Sequence, residues 1–545
     1  MSHSNLNIVI NQLNFLVGDI EGNGKIIINN IRQAKSQFNA DCIVFTELAM
    51  IGYPPEDLLH RSNVTRRIKS VLAKIISEAT DVCVILGLPW IEDQKQFNAA
   101  IIIQNGNIIE KYYKMALPNY SVFDEKRYFV AGESPCVIDV KGVSVGVTIC
   151  EDIWNIEPMR LTKDAGAEVV ININASPYHV GKQAQREIQV AERIKENDLP
   201  IVYVNQVGGQ DELVFDGGSF AMGRGQNILF RAAACEQGMY LTEYSKDKKD
   251  LTSQASMSPM QNNISSAYDV LVYGLKEYVE KNGFNGGIIG LSGGVDSALV
   301  LALAVDALGA EKVHAVMMPS KYTSDMSLED AKQLAANFKV KYSVCEIDNL
   351  VDAFDVSLQP LFGTAEKDTT EENIQARIRG VLLMALSNKF GKMVISTGNK
   401  SEMAVGYATL YGDMAGGFAP LKDAPKTLVY ELTRYRNSLE NLIPNRIIDR
   451  PPSAELAPDQ IDSDSLPPYD ELDSILEMFI EQDKSRDEIV SQGFDKETVS
   501  RIIKMVFQNE YKRRQAPPGI KITKRAFGKD RRYPITSGVL RYLQQ

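Results

Sequence analysis

The sequence predicts two α/β domains, the first a mixed layered domain and the second built on a parallel sheet. Three observations carry that expectation. Short β-branched runs alternate with longer amphipathic segments along most of the chain. In the first half some of those runs are joined by two-residue turns, whereas in the second half strand and helix patterns alternate. Between the halves, Ser245–Asn263 turns to Lys, Asp, Ser, Gln and Asn with little apolar content, which reads as a linker. The expected domains are therefore 1–244 and 264–545, with 245–263 between them. A chain of 545 residues is also too long for one hydrophobic core.

Taken in order, Asn7–Ile10, Cys42–Thr46, Val82–Gly87, Ala99–Gln104, Val143–Cys150, Val169–Ala175 and Ile201–Gln206 read as buried strands. Lys25–Phe38, Val64–Ala79 and Ala184–Asn197 read as amphipathic helices, and Asn105-Gly106 and Lys141-Gly142 as hairpin turns. After the linker come a helix at Ala267–Lys281, a strand at Gly287–Leu291, a helix at Ser297–Leu308 and a strand at Val313–Met318. That succession implies βαβ units. Gly363–Glu372 and Pro451–Pro468 read as mobile loops. The basic clusters Lys512–Arg514, Lys524-Arg525 and Arg531-Arg532 read as a solvated tail or as a lid over an anion.

Composition narrows the classes of function. Hydrophobic residues make up 44% and charged residues 24% of the chain, as in ordinary soluble proteins. A net charge of −11 argues against general nucleic-acid affinity. The longest apolar candidate, Ala298–Leu308, is interrupted by Asp306 and is too short to span a membrane. No secretory signal is read at the start. Six cysteines without CxxC spacing suggest neither disulfides nor zinc, and a reducing, cytoplasmic location. Only His3, His60, His179 and His314 are present, so a His-rich metal site or a histidine-activated nucleophile is improbable.

Two groups of residues carry chemistry. Gly290-Leu291-Ser292-Gly293-Gly294-Val295-Asp296-Ser297 follows a strand and opens a helix. Backbone amides at such a turn form an anion site, and paired glycines admit phosphate closely. Asp296 suits that place only with Mg2+ between it and the phosphates. No Gly-Lys-Ser/Thr closes the loop, so it is not a Walker sequence. In the first half, Cys150 ends a strand within Thr148–Asp152, Glu47 ends another within Phe45–Leu48, and Lys114 follows a third within Tyr112–Pro118. These three resemble the Glu-Lys-Cys triad of the nitrilase and amidase superfamily. That likeness implies that Glu47 accepts the thiol proton and Lys114 favours thiolate and oxyanion, so that a carboxylate base answers the shortage of histidine.

The glycine loop resembles the SGGxDS loop of the ATP pyrophosphatases, which hold pyrophosphate while adenylating a substrate. Ser396–Glu402, Val405–Asp413, Asn373–Arg379, Pro420–Lys426 and Pro452-Ser453-Ala454 resemble the signature of NAD+ synthetases. That resemblance implies Asp296 and Glu402 near Mg2+, and Arg379, Thr397 and Lys426 with the loop residues 290–297 on ATP. It also implies Asn373, Glu402, Asp413 and Lys512 on the dinucleotide substrate. Gly52–Leu59, Leu117–Phe129 and Asn174–Lys182 resemble the glutaminase domain of NAD+ synthetases. Tyr120, Ser176 and Lys182 are then expected to contact glutamine, with Glu125 as an auxiliary acid; a surface charge is its bland alternative.

The resemblance covers nearly the whole chain. It implies an αββα nitrilase-like sandwich followed by a doubly wound parallel-sheet domain of the ATP-pyrophosphatase type. The implied reaction amidates nicotinate adenine dinucleotide with nitrogen from glutamine, at the expense of ATP, and the implied assembly is a homo-oligomer. Small molecules are the expected partners, with neither nucleic acid nor membrane. Fusing the two activities implies a tunnel for ammonia, because free ammonia is mostly protonated at neutral pH. Rival readings are an amidotransferase with another adenylated acceptor and a non-catalytic nucleotide-binding scaffold.

Overall fold

Strand parity explains the first half. In Leu6–Gln12, residues Leu6, Ile8 and Ile10 point to one buried cluster and Val9 to another, as a period of two requires. Cys42 and Val44 join the first cluster and Ile43 the second. Val169, Ile171 and Ile173 likewise divide from Val170. Strands buried on both faces must be covered on both faces.

The computed structural model describes residues 5–453, 455–457, 462 and 466–542. Contacts divide the chain into two compact units, Met1–Gln261 and Asn262–Gln545. In the first unit a seven-stranded sheet runs in the order Asp250–Thr252, Gly238–Ser245, Leu6–Gln12, Cys42–Val44, Cys83–Glu92, Lys95–Gln104, Asn107–Tyr113. A six-stranded sheet runs Ile228–Arg231, Phe220–Met222, Ile201–Asn205, Val169–Asn174, Val143–Ile149, Cys136–Val140. Side chains from both sheets share one core. Helices Ile20–Phe38 and Ser62–Glu78 cover the outer face of the larger sheet. Ile156–Asp164 and Lys182–Asn197 cover that of the smaller. This is the expected αββα sandwich.

Both expected hairpins form, at Asn105-Gly106 and Lys141-Gly142. A further hairpin is longer than the sequence pattern suggests. The strand expected to stop at Gly87 continues to Glu92, and its partner begins at Lys95. Asp93 and Gln94 turn the chain with φ of 49° and 62°; neither is the glycine that usually marks such a turn. Within the polar stretch, Asp250–Thr252 pairs with Glu243–Ser245 as an edge strand.

The second unit carries a four-stranded parallel sheet in the order Lys341–Val344, Val313–Met317, Gly287–Gly290, Met393–Val394. The connections leave the Gly287–Gly290 strand in one direction and later return on its other side. A doubly wound sheet opens a crevice at that switch point, beyond the carboxyl ends of the strands. Helix Val295–Leu308 is buried nearly throughout. Its one exposed residue, Asp306, is held by Arg436 at 2.7 and 3.1 Å and by the Tyr268 hydroxyl at 2.5 Å. Thr369–Phe390 packs Ile374 and Ile378 with Ile288 and Val316 of the sheet.

Several C-terminal basic residues are no solvated tail. Arg513 and Arg531 are buried, and Arg531 stacks 3.8 Å from the Tyr533 ring, with Phe479, Phe507 and Phe527 around it. The electron-rich faces of aromatic rings attract a guanidinium, which helps so short a segment bury its charges. The segment Gly363–Glu372, expected to be a loop, becomes helical from Thr369 behind an Asp368 cap. Of the expected loop Pro451–Pro468, residues 454, 458–461 and 463–465 lie outside the described residues.

Candidate functional site

In the first unit, strand ends converge. Gly87 lets the backbone of 46–48 pass close by: a Cβ there would lie 2.3 Å from the Thr46 carbonyl oxygen and 2.7 Å from Glu47 Cα. The Glu47 carboxylate accepts from Lys114 Nζ at 2.8 Å, from Asn98 Nδ2 at 2.7 Å and from the Ala175 amide at 2.9 Å. Lys114 also reaches both oxygens of Glu125, at 2.9 and 3.0 Å, and Tyr53 donates to Glu125 at 3.0 Å. Glu47, Lys114 and Glu125 are all buried, so the surface alternative for Glu125 is overturned. A charge in this place survives only because it is paired.

Cys150 closes the group. It is 5% exposed and sits at φ 43°, a left-handed conformation that a residue other than glycine rarely adopts unless its surroundings impose it. Burial pushes its thiol well above the usual range, Glu47 pushes it further, and Lys114 pulls it back. For Lys114, burial disfavours the ammonium, but Glu125, Glu47 and Cys150 together hold it well above the ordinary lysine range. Tyr120 donates to both Glu151 oxygens at 3.0 Å. Ser176 is buried, with Arg186 Nε 3.2 Å from its hydroxyl oxygen. Lys182 lies 4.1 Å over the Trp154 ring, its ammonium lowered to about 8, chiefly by burial. His179 shares a 2.9 Å contact with the Val180 carbonyl, as a satisfied loop residue should.

Glu125 yields a pH prediction. Burial first, then Glu47, raise its carboxyl to about 7 against the pull of Lys114. Folding therefore favours its protonated form. Its contribution to stability is complete below the ordinary value of 4.5 and is lost as pH rises through about 7. Glu125→Gln, neutral at every pH, should gain a few degrees in melting temperature relative to the parent between pH 5 and pH 8. A pH-independent difference in thermal unfolding would contradict this.

In the second unit Asp296, Glu402 and Lys426 come together beside the Gly290–Ser297 loop. Gly293 has φ 80°, and a Cβ there would meet the Ser327 carbonyl oxygen at 2.7 Å. Ser292 and Ser297 hydroxyls lie 3.2 Å apart, and the Gly294 amide reaches Ser292 Oγ at 3.2 Å. Asp296 accepts from Lys426 Nζ at 2.5 Å and from Asn399 Nδ2 at 2.9 Å. Lys426 lies 3.4 Å from Glu402. Asn399 and Glu402 cap helix Lys400–Val405 reciprocally, which aims Glu402 back toward Asp296. Burial raises the Glu402 carboxyl to about 8, opposed by Lys426 and assisted by Asp296.

Arg379 donates to the Met318 carbonyl at 2.9 Å, at the end of a sheet strand, and burial lowers its guanidinium to about 10. Thr397 is half-buried in the turn leading to Asn399. Asp413 accepts from the Thr409 amide at 2.6 Å, and the Thr409 hydroxyl reaches Asn373 at 2.7 Å. Lys512 donates to the Gly406 and Ala408 carbonyls at 2.9 and 2.8 Å. The structure thus brings together Glu47, Lys114 and Glu125, brings together Asp296, Glu402 and Lys426, and joins Asn373 to Asp413 through Thr409.

Asn98, Tyr53, Arg186 and Asn399 were not singled out by sequence. Asn98 had a signal, being an amide inside the apolar run Phe97–Ile103. Asn399 stands three residues before Glu402, the spacing of a capping box.

Residues 8–244 match the model of the carbon-nitrogen hydrolase family, and residues 267–516 that of NAD synthase. The chain is 48% identical over 525 residues to a glutamine-dependent NAD(+) synthetase of Acinetobacter baylyi, covering 96% of each chain. It is 47% identical over 539 residues to one of Xanthomonas campestris pv. campestris, covering 98% of each. The chain belongs to the glutamine-dependent NAD+ synthetases. Among solved structures of these synthetases, one from Acinetobacter baumannii in complex with adenosine diphosphate superposes with a TM-score of 0.81, at 46% identity over 98% of both chains. Membership among the synthetases excludes a different acceptor and a non-catalytic scaffold as readings of the whole chain.

Proposed function

We propose that the first unit releases ammonia from glutamine at Cys150 and that the second uses it to amidate nicotinate adenine dinucleotide, consuming ATP and giving NAD+, AMP, pyrophosphate and glutamate. The observation that carries the first step is the buried Lys114, shared at 2.8 to 3.0 Å between Glu47 and Glu125 beside Cys150. Glu47 takes the thiol proton, and Cys150 Sγ attacks the side-chain amide carbon. Lys114 stabilises the oxyanion, and ammonia leaves with the proton that Glu47 returns. Water then cleaves the thioester. Tyr120, Ser176 and Lys182 hold glutamine, and Glu125 acts as an auxiliary acid.

In the second unit the nicotinate carboxylate attacks the α-phosphate of ATP. Backbone amides and hydroxyls of 290–297 hold the departing pyrophosphate, and Lys426 offsets its charge. Arg379 and Thr397 bind ATP, while Asn373, Glu402, Asp413 and Lys512 bind the dinucleotide. Ammonia attacks the acyl carbon and AMP leaves. Among the described residues no group of three or more His, Cys, Asp or Glu side chains forms a metal cage. Asp296 and Glu402, gathered on one ammonium, nonetheless fit Mg2+, which usually takes one or two carboxylates plus water and phosphate oxygens. When bound there it supplies charge neutralisation on the phosphates. The test is an assay of the purified chain with Mg-ATP and the deamidated dinucleotide, with glutamine and ammonium supplied separately.

A homo-oligomer in the cytoplasm completes the reading. Among the described residues no helix is long and apolar enough to cross a membrane, and the cysteines are free thiols. Helix Asp348–Phe362 has no fully buried residue and packs against the core only through the partly buried Val351 and Leu358. Leu350, Phe354 and Leu361 are nevertheless exposed to 39, 48 and 79%, and their spacing places them along one face. Such a stripe on a self-associating chain marks a contact between copies. Leu361→Asp is expected to shift the sedimentation coefficient to a smaller species; an unchanged value would contradict this interface.

A further inference from the structure

One carboxylate beside the nucleophile has no part in the chemistry above, yet it touches both catalytic segments. Asp152 is fully buried. Its Oδ1 accepts from the backbone N–H of Met115 at 3.1 Å and of Ala116 at 2.8 Å. Its Oδ2 accepts from the N–H of Ile149 at 2.9 Å and from the Tyr112 hydroxyl at 2.8 Å. Met115 and Ala116 directly follow Lys114, and Ile149 directly precedes Cys150. Tyr112 lies on Asn107–Tyr113 of the larger sheet, whereas Ile149 ends Val143–Ile149 of the smaller. A single side chain therefore fastens the exit of the lysine strand to the exit of the cysteine strand, across the sandwich.

A cap for the short helix at Cys150–Trp154 would need only the bond from Ile149. The bonds from Met115, Ala116 and Tyr112 cap nothing. They also account for how Cys150 keeps its left-handed φ of 43°, since such a backbone persists only where its neighbours over-determine it. Buried polar groups tied on every side are the means by which a protein holds reacting atoms to a fraction of an ångström.

We propose that Asp152 is a positioning residue for glutamine hydrolysis: by joining the two strand exits it sets the placement of Cys150 relative to Lys114. The proposal rests on the glutaminase reading of the triad. Thiolate formation and oxyanion binding both depend on that placement, whereas glutamine is held by other residues. Loss of Asp152 should therefore lower kcat more than it raises KM.

The experiment uses the full chain carrying Asp152→Asn, which keeps the shape but turns one acceptor into a donor facing a donor. Glutamine-dependent kcat is expected to fall about 10- to 100-fold, as small misplacements of reacting groups do. The glutamine KM should stay within about twofold, and the ratio of glutamine- to ammonium-supported synthesis should fall with kcat. Alkylation of Cys150 by iodoacetamide, followed by peptide mass spectrometry, should slow in the same proportion. Tyr112→Phe removes one of the four donors and should lower the ratio by a smaller factor; it carries the test alone if Asp152→Asn does not fold. An unchanged ratio with unchanged alkylation in these variants overturns the proposal, as does equal loss of glutamine- and ammonium-supported synthesis. If Cys150→Ala retains glutamine use, the triad reading has failed. If Cys150→Ala abolishes it and Asp152→Asn does not lower it, the positioning role alone has failed.

Discussion

Cys150→Ala is expected to abolish synthesis supported by glutamine, a loss of at least about 10⁴-fold, as removal of an enzyme's nucleophile commonly is. Synthesis supported by ammonium should persist, because the alanine removes only the sulfur and leaves the second unit's residues in place. The reason for so large an effect is chemical. An amide is a poor electrophile, and neither Glu47 nor Lys114 forms the covalent intermediate that divides its cleavage into two easier steps. Parallel steady-state assays with the two nitrogen donors check this. Persistent glutamine use in the variant would mean that another group is the nucleophile.

Asp296→Asn should impair synthesis from either donor, by about 100-fold or more, the scale on which loss of one charge-organising group acts in a water-poor site. Asp296 lies 2.5 Å from Lys426 and accepts from Asn399 at 2.9 Å, so it links the glycine loop to the segment that carries Glu402. Neutralising it leaves Lys426 paired with Glu402 at 3.4 Å and removes half of the carboxylate pair proposed for Mg2+. Glutaminase activity measured as glutamate release in the absence of ATP should be far less affected than NAD+ formation. Normal synthesis from ammonium would remove Asp296 from the chemistry.

Much of this was legible because local pattern and tertiary role coincide. The β-branched runs of the first half are buried on both faces, so their alternation survives in the parity of Leu6, Ile8 and Ile10 against Val9. The Gly290–Ser297 loop could be placed because strand, glycines and helix follow one another locally. Glu47, Lys114 and Cys150 could be singled out because each lies at or just past the end of a strand pattern. What remained hidden depends on partners far along the chain. Nothing local says that Asn98 will meet Glu47, 51 residues away, or that Arg186 will meet Asp216, 30 residues away. Arg531 resembles any tail arginine until aromatic side chains from separate segments enclose it. The turn at Asp93-Gln94 carries no local signal, because neither residue is a glycine although both take positive φ.

The most direct test supplies glutamine labelled with nitrogen-15 in its side-chain amide, together with unlabelled ammonium, Mg-ATP and nicotinate adenine dinucleotide. Mass spectrometry of the product then reports the origin of its carboxamide nitrogen. If Cys150 feeds the adenylating site, the NAD+ formed carries the label, and the label is absent when Cys150→Ala is used. Unlabelled NAD+ from the parent protein, formed while labelled glutamine is left intact, would contradict the account.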